Sequence, residues 1–309
     1  MGHHLVAEIP GFEDSYGLIS EDPATAIAIV FVHGFWGDSY STWQDTQILV
    51  DEFGQIFPLF TESDLFFLEY DAARNFIGPS ADKLHHFVDR LFPNPPASLF
   101  SEDVSAADWG SELHVGPVSI RTGPYVYNSL ILVGHSLGAV VVRQMILDVA
   151  TDFSEACSIA PDKKQEFLAQ RPVLLADLRL MSPAHLGFRP VGLLGAAFSL
   201  APMAGLLRGL LSFYRSFTEL DPNSALLQSL RRRTEEISRS FPGLPALCAK
   251  SLFAQYDDLV IMDRYDCDRR VQYVADRTHT TICKPLRMYL TPLEFIAEYG
   301  QTYEQARRA

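Results

Sequence analysis

The sequence contains few cysteines and little positive charge. Its four cysteines include no CxxC pair, which argues against a zinc site and against a secreted disulfide framework. Lysine and arginine number 25 against 38 aspartates and glutamates, which gives a net charge of −13. Such a field repels phosphate backbones and anionic bilayers at long range. We therefore expect reduced thiols, no metal site and no nucleic-acid partner.

The sequence also lacks internal repeats, charge blocks and Gly/Ser linkers, so we expect a single domain over residues 1–309. No basic region followed by an apolar core precedes the first strand, so we expect no secretory signal and a cytoplasmic location.

The uncharged stretch at residues 190–207 has 18 residues, the lower limit for a membrane span, but three glycines and a proline interrupt it. We favour an apolar cap over residues 188–219, with a membrane span or plain core as alternatives. Such a cap would form an apolar mouth for an acyl chain and could contact a membrane surface peripherally.

The remaining apolar runs alternate between strand-like and helix-like patterns. Short runs that are apolar at most positions predict strands at residues 26–32, 65–68, 130–133, 178–181, 252–254 and 271–274. Helical spacing predicts helices at residues 81–91 and 139–149, and the capping pattern TPLE at residues 291–294 predicts a further helix beginning at Thr291. This alternation predicts an α/β fold with a mostly parallel sheet and helices on both faces. Residues 93–125 carry five prolines and are predicted to form an insertion over one edge.

The most informative motif is GHSLG at residues 134–138, which places Ser136 between an apolar strand and an apolar helix. A serine on a sharp strand-to-helix turn has a strained backbone, and flanking glycines let neighbouring elements approach closely. Its hydroxyl is then exposed at the edge of the sheet. A tight turn with a passive serine does not account for the whole arrangement, so we predict Ser136 as a nucleophile.

A serine nucleophile needs a general base, usually a histidine held by a carboxylate. Of the nine histidines, His279 follows the last predicted strand, where a site above the sheet requires the base. We predict His279 as the base and His185 as a contact of the oxyanion or the cap.

Two adjacent carboxylates, Asp257 and Asp258, follow the strand at 252–254, where the acid is expected. Neighbouring side chains on an extended segment point to opposite sides, so only one can face the imidazole. Asp257 is the first choice and Asp258 the second. Three later aspartates are predicted surface charges: Asp263, Asp266 and Asp268.

Two amide donors are expected for an oxyanion. One is Leu137, which begins the helix after Ser136. The other is Phe35, with Trp36 as second choice, in the sequence HGFWGD at residues 33–38. The alternative is an ordinary glycine-rich turn with two buried aromatic residues.

Four stretches are distinctive as a set: VFVHGFWGD (30–38), LVGHSLGAVV (132–141), MSPAHLG (181–187) and HTTICKP (279–285). Together they resemble the α/β-hydrolase superfamily, in particular its serine esterase and lipase-like branch. The resemblance implies Ser136 as nucleophile, His279 as base, a carboxylate after the penultimate strand and no metal or cofactor. It also implies an apolar cap between Gly187 and Leu220. The chain differs in having Ala139 where a third glycine is common.

These features predict a serine hydrolase that cleaves a small-molecule or lipid ester with an apolar acyl group. A thioesterase or an acyltransferase would use the same machinery. An alternative from a different class is a hydrolase-like module that binds a ligand with little turnover.

Overall fold

A computed structural model describes residues 2–6, 8–22, 25–35, 37–43, 46–54, 56–102, 118–119, 121, 124–188 and 218–298. Trp36, most of the predicted proline-rich insertion and residues 189–217 of the predicted cap lie outside the described residues. The assignments of an insertion, a cap and a membrane-contacting segment therefore stay predictions.

An eight-stranded sheet forms the centre of the fold. Its strands are β1 (His3–Val6), β2 (Tyr16–Ser20), β3 (Ile27–Val32), β4 (Ser63–Leu68), β7 (Ser129–His135), β8 (Asp177–Met181), β9 (Lys250–Ala254) and β10 (Arg270–Val274); β5 (Ser101–Glu102) and β6 (Val118–Ser119) pair separately. The spatial order is β1-β2-β4-β3-β7-β8-β9-β10. All pairings from β4 to β10 are parallel, whereas β1 and β2 add an antiparallel hairpin at one edge. The predicted mostly parallel sheet is confirmed.

The helices cover both faces of this sheet. They are α1 (Thr46–Phe53), α2 (Pro58–Thr61), α3 (Ile77–Leu91), α4 (Leu137–Ile159), α5 (Lys164–Ala169), α6 (Ala225–Ser240) and α7 (Thr291–Ala297). One core joins α3, α4 and α6 to the sheet, and a second core joins α1, α2 and α7 to the opposite face. In β3, Val30 and Val32 belong to the first core and Ile29 and Phe31 to the second. This double burial explains why β3 is apolar at every position.

The predicted strands and helices all occur, and most extend one or more residues beyond the predicted limits. The elements that were not predicted are β1, β2, β5, β6, α1, α2, α5 and α6. The four cysteines carry free thiols, of which Cys157 and Cys283 are buried. None of the helices in the described ranges is long and apolar enough to cross a membrane.

Candidate active site

Three of the predicted site residues lie at the same edge of the sheet. Ser136 directly follows β7, Asp257 follows β9 and His279 lies in the loop after β10. These strands are parallel, so their carboxyl ends meet at one edge, which is where sites form in open α/β sheets. The fold therefore brings together residues that are far apart in the chain.

The three side chains form a continuous hydrogen-bonded series. The Oγ atom of Ser136 lies 2.8 Å from Nε2 of His279, and Nδ1 of His279 lies 2.9 Å from Oδ2 of Asp257. All three residues are buried. An imidazole that donates Nδ1–H to the carboxylate leaves Nε2 free to accept the serine proton.

The Asp257 carboxylate is held from several directions. Its Oδ1 atom accepts hydrogen bonds from the amides of Leu259 at 3.0 Å and Val260 at 3.2 Å. Burial by itself would raise the pKa of Asp257, but His279, the Ser182 hydroxyl and the Leu259 amide together hold it below its ordinary value. Asp258, the second choice, is exposed. Asp257 is thus the carboxylate that the structure places against the imidazole.

The backbone at Ser136 has the conformation expected of a sharp strand-to-helix turn. Its φ angle is 53°, in the left-handed region that side-chain-bearing residues rarely adopt. The Ser136 amide donates to the carbonyl of Met181 at 3.0 Å, and its carbonyl accepts from Ala184 at 3.1 Å. Leu137 is the first residue of α4, and amides in the first turn of a helix have no intrahelical partner. The Leu137 amide therefore remains available to an oxyanion.

Gly138 allows the start of α4 to pack against the end of β3. A Cβ atom at Gly138 would lie 2.2 Å from the carbonyl oxygen of Val32, a contact that requires movement of the backbone. We expect Gly138→Ala to lower the free energy of unfolding by about 3 kcal/mol or more. Urea denaturation measures this change.

Gly78 in α3 provides the matched control, because a Cβ atom there meets nothing within 4 Å. Gly78→Ala is expected to raise the free energy of unfolding by roughly 0.5–1 kcal/mol, since alanine favours a helix over glycine. Equal effects of the two substitutions would contradict the close packing inferred at Gly138.

The loop after β3 lies directly beside the nucleophile. A Cβ atom at Gly34 would lie 2.8 Å from Cβ of Ser136, so only glycine fits there. The Gly37 amide donates to the Gly34 carbonyl at 3.0 Å and closes a tight turn. Phe35 lies half-buried in this turn. The loop therefore brings backbone close to Ser136, where the sequence predicts a second oxyanion donor.

Buried His33 supports the same loop. Its Nδ1 atom lies 2.9 Å from the Gly34 carbonyl oxygen, and its Nε2 atom lies 3.4 Å from a carboxylate oxygen of Glu69. The Tyr70 hydroxyl donates to the His33 carbonyl at 2.7 Å. These contacts hold the loop after β3 in place.

His135 is a further site residue that the sequence patterns did not single out. Its Nε2 atom donates to the carbonyl of His279 at 2.9 Å. Burial, followed by the proximity of His279, lowers the pKa of His135 to about 3, so the ring is neutral near pH 7. The position beside Ser136 in GHSLG was the only sequence signal for it.

The structure corrects the prediction made for Asp268 and describes the surroundings of His185. Asp268, predicted as a surface charge, is buried and paired with Arg143. His185, predicted to contact the oxyanion or the cap, is fully buried and hydrogen-bonds to Arg143 and to the Asp263 carbonyl. Local sequence patterns could not reveal these contacts, because Arg143 lies 125 residues from Asp268 and 42 residues from His185 along the chain. Asp266 is exposed, as predicted.

Within the part of the chain that the structure describes, no three His, Cys, Asp or Glu side chains are grouped so that they could hold a metal ion. The side chains that the hydrogen bonds link in series at the sheet edge are a buried serine, an imidazole and a carboxylate.

A sequence profile described as the alpha/beta hydrolase family matches residues 29–293. The chain belongs to the alpha/beta hydrolase family. The predicted fold class and family are therefore confirmed, and no curated protein matches the sequence.

Several solved structures resemble this hydrolase at low identity. A Bacillus licheniformis lipase has a TM-score of 0.45 and 13% identity over 88% of this chain and 91% of that one. Est1E from Butyrivibrio proteoclasticus has a TM-score of 0.45 and 12% identity over 99% and 98%. A lipase-esterase related protein from Clostridium acetobutylicum has a TM-score of 0.42 and 11% identity over 98% and 99%.

Proposed function

We propose that this hydrolase cleaves carboxylic esters through an acyl-serine intermediate. Ser136 is the nucleophile, His279 the general base and Asp257 the acid that orients the imidazole. The observation that carries the proposal is the buried series of hydrogen bonds from Ser136 Oγ to His279 Nε2 and from His279 Nδ1 to Asp257. Two parts of a serine hydrolase, a nucleophile and an oriented base, are thereby in contact before substrate binds.

In the acylation step, Oγ of Ser136 attacks the ester carbonyl carbon while Nε2 of His279 takes the hydroxyl proton. The resulting imidazolium is stabilised by the ionised Asp257. When the tetrahedral intermediate collapses, the bond to the alcohol breaks and His279 returns its proton to the leaving oxygen. Water then attacks the acyl-serine by the same route, which releases the acid and restores Ser136.

The negative charge on the tetrahedral intermediate needs donors that are already in place. The Leu137 amide at the start of α4 is one donor, and the helix N-terminus adds a favourable dipole. The Phe35 amide, in the turn beside Ser136, is the proposed second donor. Trp36 remains the alternative to Phe35.

An apolar acyl group is the proposed substrate feature. Its support is the uncharged composition of residues 190–207, which follow directly on the buried loop that contacts the Ser136 carbonyl. We accordingly expect turnover of p-nitrophenyl esters to rise as the acyl chain lengthens from acetate, and to rise further when lipid vesicles are present.

A fluorophosphonate probe tests the proposed nucleophile directly. We expect the probe to label the purified chain at a single serine, Ser136, because only an activated hydroxyl reacts rapidly with it. Peptide mass spectrometry after labelling locates the modified residue.

The control for this labelling is Ser136→Ala, which retains the other groups of the site and should remain unlabelled. Folding of both proteins is checked by circular dichroism. A folded chain that resists labelling, even with detergent present, or a chain labelled at a different serine, would overturn the proposed function.

A further inference from the structure

A buried arginine lies on the helix that follows the nucleophile. Arg143 is in α4, two helical turns after Ser136. Its Nη2 atom donates to both carboxylate oxygens of Asp268, at 2.7 Å and 2.9 Å, and its Nε atom donates to Nδ1 of His185 at 3.2 Å. The guanidinium lies over the ring of Tyr265 at 4.1 Å. One side chain thereby joins α4 to two separate loops.

The contact with Arg143 fixes the protonation of His185. Since Nδ1 accepts a hydrogen bond, the proton is on Nε2, which donates to the Asp263 carbonyl at 2.9 Å. Burial, together with the adjacent Arg143, lowers the pKa of His185 to about 3. The ring is therefore neutral near pH 7 and holds one orientation.

Asp268 links Arg143 to the second loop. Burial would raise its pKa, but the charge of Arg143 holds the pKa below its ordinary value, so the carboxylate is ionised. It also accepts hydrogen bonds from the amides of Tyr265 at 3.0 Å and Ala249 at 2.9 Å. The loop that leads from Asp257 to β10 is thus anchored to α4 and to the start of β9.

Both anchored loops contact the proposed catalytic groups. The loop of residues 182–188 carries Ala184, whose amide donates to the Ser136 carbonyl, and Ser182, whose hydroxyl interacts with Asp257. The loop of residues 257–268 begins at Asp257 itself. Any displacement of these loops from α4 therefore changes the spacing between the nucleophile and the acid.

We propose that Arg143 is a positioning residue, which holds the loops of residues 182–188 and 257–268 against α4 so that Ser136, His279 and Asp257 stay within hydrogen-bonding distance. This inference rests on the proposed function. A buried ion pair is a weak source of stability because desolvation offsets its attraction. The planar guanidinium of arginine instead fixes the directions of its hydrogen bonds. The ammonium group of lysine cannot reproduce the hydrogen bonds to both oxygens of Asp268 and to His185.

The fold contains a matched control for this arginine. Arg121 is also buried, donates to both oxygens of Asp64 and lies over the ring of Tyr125. Asp64, however, lies near the beginning of β4, at the edge of the sheet opposite to the site. Arg143→Lys and Arg121→Lys make the same chemical change in similar surroundings, one near the site and one remote from it.

The experiment compares kcat and KM for a p-nitrophenyl ester in the wild type and the two lysine variants. We expect Arg143→Lys to lower kcat roughly 10- to 100-fold, because small displacements of reacting groups are costly, with KM changed less than about threefold. Arg121→Lys should lower the midpoint of thermal unfolding comparably and leave kcat within about twofold. Equal losses of kcat in the two variants, or an unchanged kcat in Arg143→Lys, would refute the positioning role.

Hydrogen–deuterium exchange provides a measurement that does not depend on turnover. We expect faster exchange in peptides covering residues 182–188 and 257–268 in Arg143→Lys but not in Arg121→Lys. If exchange in these peptides is unchanged in Arg143→Lys, the positioning role is refuted, even if the wild type hydrolyses no ester. If instead the wild type neither turns over an ester nor becomes labelled, only the proposed function is refuted.

If Arg143→Lys does not fold, the variant His185→Asn tests the positioning role instead. In His185→Asn the amide oxygen can still accept from Arg143, but the link to the Asp263 carbonyl is lost. We expect a smaller fall in kcat, roughly threefold to tenfold, with KM unchanged. A kcat equal to that of the wild type would count against the role assigned to Arg143.

Discussion

Replacing His279 by alanine is expected to lower kcat for ester hydrolysis about 10⁶-fold, since removing the base from a serine hydrolase costs nearly as much as removing the whole triad. The reason lies in the 2.8 Å contact between His279 Nε2 and Ser136 Oγ. Without the imidazole, the Ser136 hydroxyl loses the proposed acceptor of its proton during attack. The measurement is kcat and KM for a p-nitrophenyl ester, with labelling by the fluorophosphonate probe followed in parallel.

His85→Ala serves as the control, because His85 lies on α3 and is partly exposed beside Asp89. It should leave kcat and labelling unchanged. The same experiment separates an enzyme from a ligand-binding module, which would keep its ligand affinity and its biological effect after loss of His279. Retention of ester turnover in His279→Ala would show that another base serves Ser136.

The second large effect is expected at the acid. Asp257→Asn should lower kcat about 10⁴-fold near neutral pH, because the amide no longer stabilises the imidazolium and favours the wrong tautomer of His279. The buried carboxylate accepts from His279 at 2.9 Å, so the substitution preserves shape and removes charge. Steady-state kinetics at several pH values measures the loss.

Asp258→Asn is the matched substitution one residue later. Asp258 is exposed, and surface substitutions have small effects, so kcat should stay within about twofold of the wild type. If instead Asp258→Asn caused the larger loss of kcat, the assignment of the acid would have to be reversed.

Local patterns predicted most of the sheet because its central strands are buried on both faces. β3 is apolar at every position and β7 is apolar over residues 130–133, and such runs are visible without a structure. The hairpin of β1 and β2 was missed, since β1 begins with His3 and His4 and has only one buried residue. Helix α6 was missed because its polar face dominates the sequence and few of its residues are buried.

The sequence placed Ser136, His279 and Asp257 at strand ends, and parallel strands bring such ends together. What it could not supply was the set of contacts that depend on long-range packing. The partner of Asp268 lies 125 residues away, and the residue that bonds the His279 carbonyl is His135, 144 residues away. Contacts between residues this far apart in the chain leave no repeating pattern of residue types from which they could be predicted.

The separation of 143 residues between Ser136 and His279 also bears on how the protein is made. A ribosome synthesises the serine and its helix long before it reaches β10 and the loop beyond. Until those residues are added and the final strand joins the sheet, the growing polypeptide carries a hydroxyl of ordinary reactivity. On the proposed mechanism, the chain cannot attack cellular esters during most of its own translation.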